Sequence, residues 1–188
     1  MSTPGFRIRP ARTSDVARIV EMAQPLVERR ALVPKETVSY YEAIQEFLIA
    51  EAEEAGQDGG GQDSGKNDAD QDGGIAGFGA LHVMWEDLAE VRTLAADDAW
   101  RGRGVGSALL RRLLDRARDL GVRRVFCLTF EVEFFRRHGF QVMEDQAPVD
   151  PEVYTELLRS PDEGVAEFLD LARVKPNTLG NTRMILHL

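Results

Sequence analysis

The chain of 188 residues suits one domain with a substantial core, and its 43% hydrophobic and 29% charged residues are a globular balance that excludes a wholly disordered chain. A lone cysteine, Cys127, excludes an internal disulfide and a cysteine-built metal cluster, and no run approaches the ~20 apolar residues that span a bilayer. Of the net charge of -9, seven units come from Glu51 to Gly74, where eight acids meet only Lys66, and the remaining -2 is not the basic footprint of a nucleic-acid binder.

Met1 to Pro10 has no apolar run behind its arginines, so no secretory leader is expected and the cytoplasm is the expected location. Phe6 to Pro10 alternates apolar and polar residues, a first strand stopped by proline. Thr13-Ser14-Asp15 opens a helix carrying Val16, Ile19, Val20, Met22 and Ala23, which Pro25 closes or kinks. A second helix follows Pro34, with Val38, Tyr41, Ile44 and Gln45 at helical spacing, and Phe47 to Ala50 reads as a strand. Glu51 to Gly74 has seven glycines and no large apolar residue, so a disordered loop in the turn of a hairpin is expected there.

Strands are expected again at Ile75 to Met84 and Glu90 to Ala96, then a glycine-rich turn at Arg101 to Gly106. Ser107 to Leu120 is an amphipathic helix with Leu109, Leu110, Leu113, Leu114 and Ala117 on one face, ended by Gly121. Arg124 to Thr129 reads as a buried strand, Glu131 to His138 as a short helix, and Phe140 to Met143 and Arg183 to Leu188 as closing strands. Two short helices are expected between Asp150 and Val174. Strands and helices mix without strict alternation, so the fold class is α/β (α+β), with a mixed, largely antiparallel sheet.

The sharpest local pattern is a strand, then Arg101-Gly102-Arg103-Gly104-Val105-Gly106, then a helix. Glycines allow the tight turn, successive N–H groups point outward, and the helix adds its positive end, so the turn suits a phosphate. No Lys-Ser/Thr follows the last glycine, and the dinucleotide spacing G-x-G-x-x-G is missing. Alone, such a turn is as readily a tight strand–helix connection. One strand downstream comes Phe134-Phe135-Arg136-Arg137-His138-Gly139-Phe140.

That order resembles the GNAT acetyltransferases over nearly the whole chain, Ile8 to Leu188, with Glu51 to Gly74 as an insertion in a single domain spanning 1–188. The resemblance implies the GNAT acetyltransferase fold, acetyl-CoA as co-substrate and no metal. It implies a strand whose bulge splays it from its neighbour, so that the pantetheine arm lies against Leu94, Ala95 and Ala96. The pyrophosphate would lie on Arg101, Gly102, Arg103, Gly104, Val105, Gly106 and Ser107. A narrower resemblance, carried by Leu32-Val33, Ala89 to Thr93, Val125 to Thr129, Glu133 to Phe140 and Asn181-Thr182-Arg183, is to the acetyltransferase domain of N-acetylglutamate synthases in a short, single-domain form. Pro34-Lys35 stands where long forms have a basic pair, and Val174 to Gly180 also departs from the pattern.

Within that reading Glu90 is the candidate general base for the attacking amine, against the plainer role of a strand-end charge. Thr129 is the candidate donor to the leaving thiolate, because Phe135 stands where many relatives carry a tyrosine. A backbone N–H near Leu94 or Ala95 would hold the oxyanion. Lys35, Arg92, Thr93 and Arg183 are candidates to hold an acidic amino acid, a dianion that calls for convergent cations. The expected reaction moves acetyl to the α-amine of L-glutamate, with L-glutamine also admitted, as the first step of arginine biosynthesis. The alternatives are another amine or a peptide N-terminus, or a non-catalytic acetyl-CoA-binding regulatory module. The expected partner is a small-molecule amino acid; no nucleic acid or membrane is expected, and a homodimer is left open. His82, His138 and His187 lack metal spacing and are read as structural, and Cys127 as a buried small hydrophobe.

Overall fold

The computed structural model describes residues 5–29, 31–53, 74–145, 148–172 and 180–188. Among these residues seven strands form one sheet: β1 (Phe6–Pro10), β2 (Phe47–Ala52), β3 (Ile75–Trp85), β4 (Leu88–Ala96), β5 (Arg124–Thr129), β6 (Gln141–Val142) and β7 (Thr182–His187). Their spatial order is β1-β2-β3-β4-β5-β7-β6. Each neighbouring pair is antiparallel except β4 with β5. A parallel pair needs a crossover, and α3 (Val105–Asp119) supplies it. The remaining helices are α1 (Val16–Glu28), α2 (Thr37–Glu42), α4 (Val132–Arg137), α5 (Pro151–Leu157) and α6 (Glu163–Phe168).

Strand alternation sorts the core onto the two faces of the sheet. Leu48 and Ala50 of β2, Ala89 and Val91 of β4 and Val125 and Cys127 of β5 face α3, whose Leu109, Leu110, Leu113 and Ala117 are fully buried on them. On the other face Phe47, Ile49, Phe78 and Ala80 pack under α1 and α2. Leu88, Phe126 and Ile185 pack under α5 and α6 on that same side. The opposite face thus carries two separate apolar clusters, and the strip of β3 and β4 between them bears His82, Glu90 and Arg92.

Several expectations are corrected. Glu51 and Ala52 are not loop but the end of β2: Glu51 is buried because Arg7 and Arg9 of β1 both reach its carboxylate, Arg9 at 2.7 Å. Glu53 and Gly74 lie outside the strands, as expected of the loop; residues 54–73 between them lie outside the described residues, as do 173–179; β2 and β3 do pair as an antiparallel hairpin. Helix α1 runs through Pro25 to Glu28, since a proline in the last turn removes one N–H without breaking the turns before it. On α2 the buried residue is Tyr40, while Val38 and Tyr41 are exposed, because the helix is too short for its spacing to fix a face. Helix α3 begins at Val105, two residues early, because Gly104 at φ 82° turns the chain straight into it.

Candidate active site

β4 builds the site by breaking its own regularity. Opposite Phe78 lies Ala95 and opposite Ala80 lies Arg92, so two steps on β3 meet three on β4. The extra residue is a bulge at Thr93–Leu94. Thr93 sits at φ 56°, a left-handed conformation that is costly for a β-branched residue and persists only where the surroundings enforce it. Glycines on β3 make room: a Cβ on Gly79 would lie 2.8 Å from Leu94 Cδ1, and one on Gly77 would lie 2.8 Å from the Ala95 carbonyl oxygen.

The bulge has a direct consequence on the other side of β4. Pairing with β5 runs from Leu88–Arg124 to Glu90–Phe126 and stops. β5 continues to Thr129 on β7, while β4 continues to Ala96 on β3. A wedge opens between Val91–Ala96 and Cys127–Thr129, edged by backbone groups that another amide chain can pair with.

At the wide end of the wedge, Arg101 to Gly104 form an exposed turn, with Gly102 at φ 76° and Gly104 at φ 82°. Val105, Gly106 and Ser107 are the first turn of α3, whose N–H groups have no partners within the helix. The flanking arginines are tethered: Arg103 lies over the Trp100 ring at 5.1 Å and Arg101 stands 3.7 Å from Asp98. α4 closes this end, with the Phe134 ring 3.6 Å from where a Gly106 Cβ would be. Phe135 is core.

At the narrow end, on the face between the two apolar clusters, lies a cavity of about 430 Å3. It touches Glu90, Arg92 and Thr93 on one side of the wedge and Leu128 on the other. Lys35 and its neighbours form one wall, and Pro161 to Gly164, leading into α6, form another. Glu90 is 7% exposed. Arg92 donates to Glu90 Oε2 from Nε at 3.0 Å and Nη2 at 2.6 Å, and grips both oxygens of Asp162 at 3.1 Å each. Burial pushes the Glu90 carboxyl above the usual carboxylate range, with the Asp162 charge adding to it and Arg92 holding it back. Lys35 is itself solvent-exposed at the cavity rim, yet the protein packed around its Nζ desolvates it and lowers its pKa, the nearby Arg92 adding to the effect, and the Nζ donates to Thr93 Oγ1 at 3.4 Å.

The structure thus brings together Glu90, Arg92, Thr93 and Lys35. Thr129 is buried at the end of β5, and its hydroxyl oxygen accepts from the Glu131 N–H at 2.9 Å, which holds the start of α4. Arg183 is not on the cavity wall: its guanidinium reaches Asp170 and the Glu167 carbonyl, both at 3.4 Å. Sequence reasoning missed Glu46, His82 and Asp162. His82 lies opposite Glu90 across β3 and β4, its Nδ1 2.7 Å from Glu46 Oε1 and its Nε2 3.8 Å from Asp162. Ser160-Pro161-Asp162 carries a readable helix-cap signal, and Asp162 does accept from Val165 N–H, but nothing local points to Arg92, 70 positions away. No metal-competent cluster of His, Cys, Asp or Glu occurs among the described residues, and no described helix is long and apolar enough to cross a membrane.

A split between two parallel strands, with a glycine turn opening the helix that joins them, is the architecture of the GNAT acetyltransferases, and the model of the acetyltransferase (GNAT) family matches residues 30–140. The chain belongs to this family and is an acetyl-CoA-dependent N-acetyltransferase. It is 49% identical over 179 residues to the amino-acid acetyltransferase of Mycobacterium tuberculosis, covering 95% of this chain and 92% of that protein. The crystal structure of Rv2747 from Mycobacterium tuberculosis in complex with CoA superposes with a TM-score of 0.80 at 47% identity, covering 97% of this chain and 99% of that one. N-acetylglutamate synthase from Neisseria gonorrhoeae, solved with coenzyme A and N-acetyl-glutamate, shares the fold at 22% identity and a TM-score of 0.70; the match covers 36% of that longer chain.

Proposed function

We propose that the enzyme transfers acetyl from acetyl-CoA to the α-amine of an amino acid, L-glutamate foremost and L-glutamine beside it, forming the first intermediate of arginine biosynthesis. The carrying observation is that one cavity touches both edges of the wedge and holds Glu90 beside Lys35. An amine lodged there faces a thioester entering from the glycine turn. The 49% identity to an amino-acid acetyltransferase supports the substrate class.

The residues divide the work by position. The turn from Arg101 to Gly104 and the first N–H groups of α3 hold the pyrophosphate, and Leu94, Ala95 and Ala96 pair with the pantetheine arm. Glu90, buried and therefore more basic than an exposed carboxylate, takes the proton from the ammonium, directly or through a water. The free amine attacks the thioester carbonyl, and a backbone N–H near Leu94 or Ala95 receives the developing oxyanion. The tetrahedral intermediate then collapses and expels the coenzyme A thiolate, to which the Thr129 hydroxyl can donate a hydrogen bond while its oxygen keeps the Glu131 N–H; the second proton leaves the former amine nitrogen and is taken up by the thiolate, directly or through water. Lys35 holds the α-carboxylate.

Acetyl-CoA consumption by the purified enzyme across the twenty amino acids tests the reading. Glutamate and glutamine are expected to lead. Faster turnover of lysine or of a peptide N-terminus would leave the acetyltransferase and remove the glutamate assignment.

A further inference from the structure

The described wall of the cavity is poor in cations for an acidic substrate. Among the described residues its wall has two, Lys35 and Arg92, against the carboxyl groups of Glu36, Glu46, Glu90, Asp162, Glu163 and Glu167. Of the two cations, Arg92 is already engaged. A guanidinium offers a carboxylate a fork of parallel N–H donors, its strongest mode of recognition. Arg92 presents that fork to Asp162, Nη1 to Oδ2 and Nη2 to Oδ1, both at 3.1 Å. Its Nε and the rest of Nη2 go to Glu90. One Nη1 hydrogen remains, too few for a second bidentate carboxylate.

Asp162 is held where it is from behind. Its Oδ1 caps α6 through Val165 N–H, His82 stands 3.8 Å from Oδ2, and Gly164 sits so close to Glu90 that a Cβ there would lie 2.0 Å from Oε2. The segment Pro161 to Gly164 is therefore a fitted wall that brings a carboxylate of the protein's own to the arginine that the described residues give the cavity.

The geometry points to Asp162 as a specificity-determining residue: its carboxylate occupies the fork of Arg92 and competes with the side-chain carboxylate of an acidic amino acid. The inference rests on the amino-acid reading above. With Asp162 in place, Lys35 serves the α-carboxylate and the side-chain end of the cavity admits an uncharged amide. Glutamine enters without displacing anything, whereas glutamate must lift Asp162 off Arg92. Asp162 thus lowers selectivity for glutamate over glutamine through KM, while its influence on Glu90 through Arg92 falls on both substrates alike.

The test is Asp162→Asn, which keeps the capping acceptor and removes the charge; Asp162→Ser is the second variant, also a cap. The ratio of kcat/KM for glutamate to that for glutamine should rise about tenfold, the worth of one charge-assisted contact, through a lower KM for glutamate. A ratio that stays or falls in both variants would overturn the inference and leave Asp162 as a prop for Arg92. Taking both substrates on one preparation cancels any general loss of folded enzyme. Glutarate, a dicarboxylate without an amine, separates this inference from the functional reading. Calorimetry should show tighter glutarate binding to Asp162→Asn than to the parent, and equal or weaker binding would refute the competition. A parent that acetylates neither amino acid would sink the glutamate reading, with the glutarate comparison still deciding the role of Asp162.

Discussion

Glu90 illustrates how a buried charge becomes useful. An isolated carboxylate would be neutral at this depth, and an ion pair on both oxygens would make it a poor base. Arg92 touches one oxygen and is shared with Asp162, so Glu90 stays ionisable while burial holds its proton affinity above the ordinary value of 4.5. Glu90→Gln should lower kcat by about 10²- to 10⁴-fold and leave acetyl-CoA affinity unchanged, read by steady-state kinetics and calorimetry. The rising limb of the parent's kcat/KM profile should lie above 4.5, because activity needs the unprotonated form. Gly164→Ala should cost about 1–3 kcal/mol of stability and depress kcat, since its methyl meets Glu90 Oε2. Adding Glu90→Ala should return much of the lost Tm but none of the activity, which marks the cost as a clash between these two positions.

Two elements carry separable duties. The turn into α3 was legible in the sequence because glycines at 102 and 104 announce positive φ, and both adopt it. Asp and Asn both tolerate that conformation, so Gly104→Asp and Gly104→Asn should fold alike. Calorimetry should show a much larger loss of acetyl-CoA affinity for Asp, whose charge meets the pyrophosphate. The β1–β2 edge was not legible in the same way. Glu51 reads as the first acid of an acidic run, yet it is joined to Arg7 and Arg9, and Arg9 also holds Asp15 at 2.7 Å. Burial raises the acids' pKa values, but hydrogen bonds from the arginines more than reverse this, so both lie below their ordinary values of 4.5 and 3.8. Their contribution to stability is therefore complete above those values and is lost as pH falls through the lower native ones. Glu51→Gln should narrow the gap in Tm between pH 7 and pH 3 relative to the parent.

At the scale of the whole molecule, residues 54–73 join two strands whose ends already meet, since Ala52 N–H donates to the Gly74 carbonyl at 2.9 Å. Replacing 54–73 by a short Asn-Gly turn should leave Tm and activity near the parent's, because the shortened connection asks little of either strand. Extending the cut to Glu51 should lower Tm by several degrees, because it removes a buried ion-pair partner. The two thermal melts together define where the insertion ends.

Local chemistry determined much of this protein from the sequence. Alternation set the strands, leucine spacing set α3, and glycines set the phosphate turn, because each depends on neighbours within a few positions. The order of these pieces was enough to name the GNAT fold and its co-substrate. Only the tertiary structure decided the amine side of the site. Burial of Glu90, the shared grip of Arg92 and the approach of Asp162 and His82 depend on strands and helices tens of residues apart, and no period or motif encodes such meetings. Arg183 shows the same limit from the other side: a basic residue in the expected closing strand is turned to Asp170 and the end of α6, because the side-chain geometry that assigns its partner exists only after the sheet has closed.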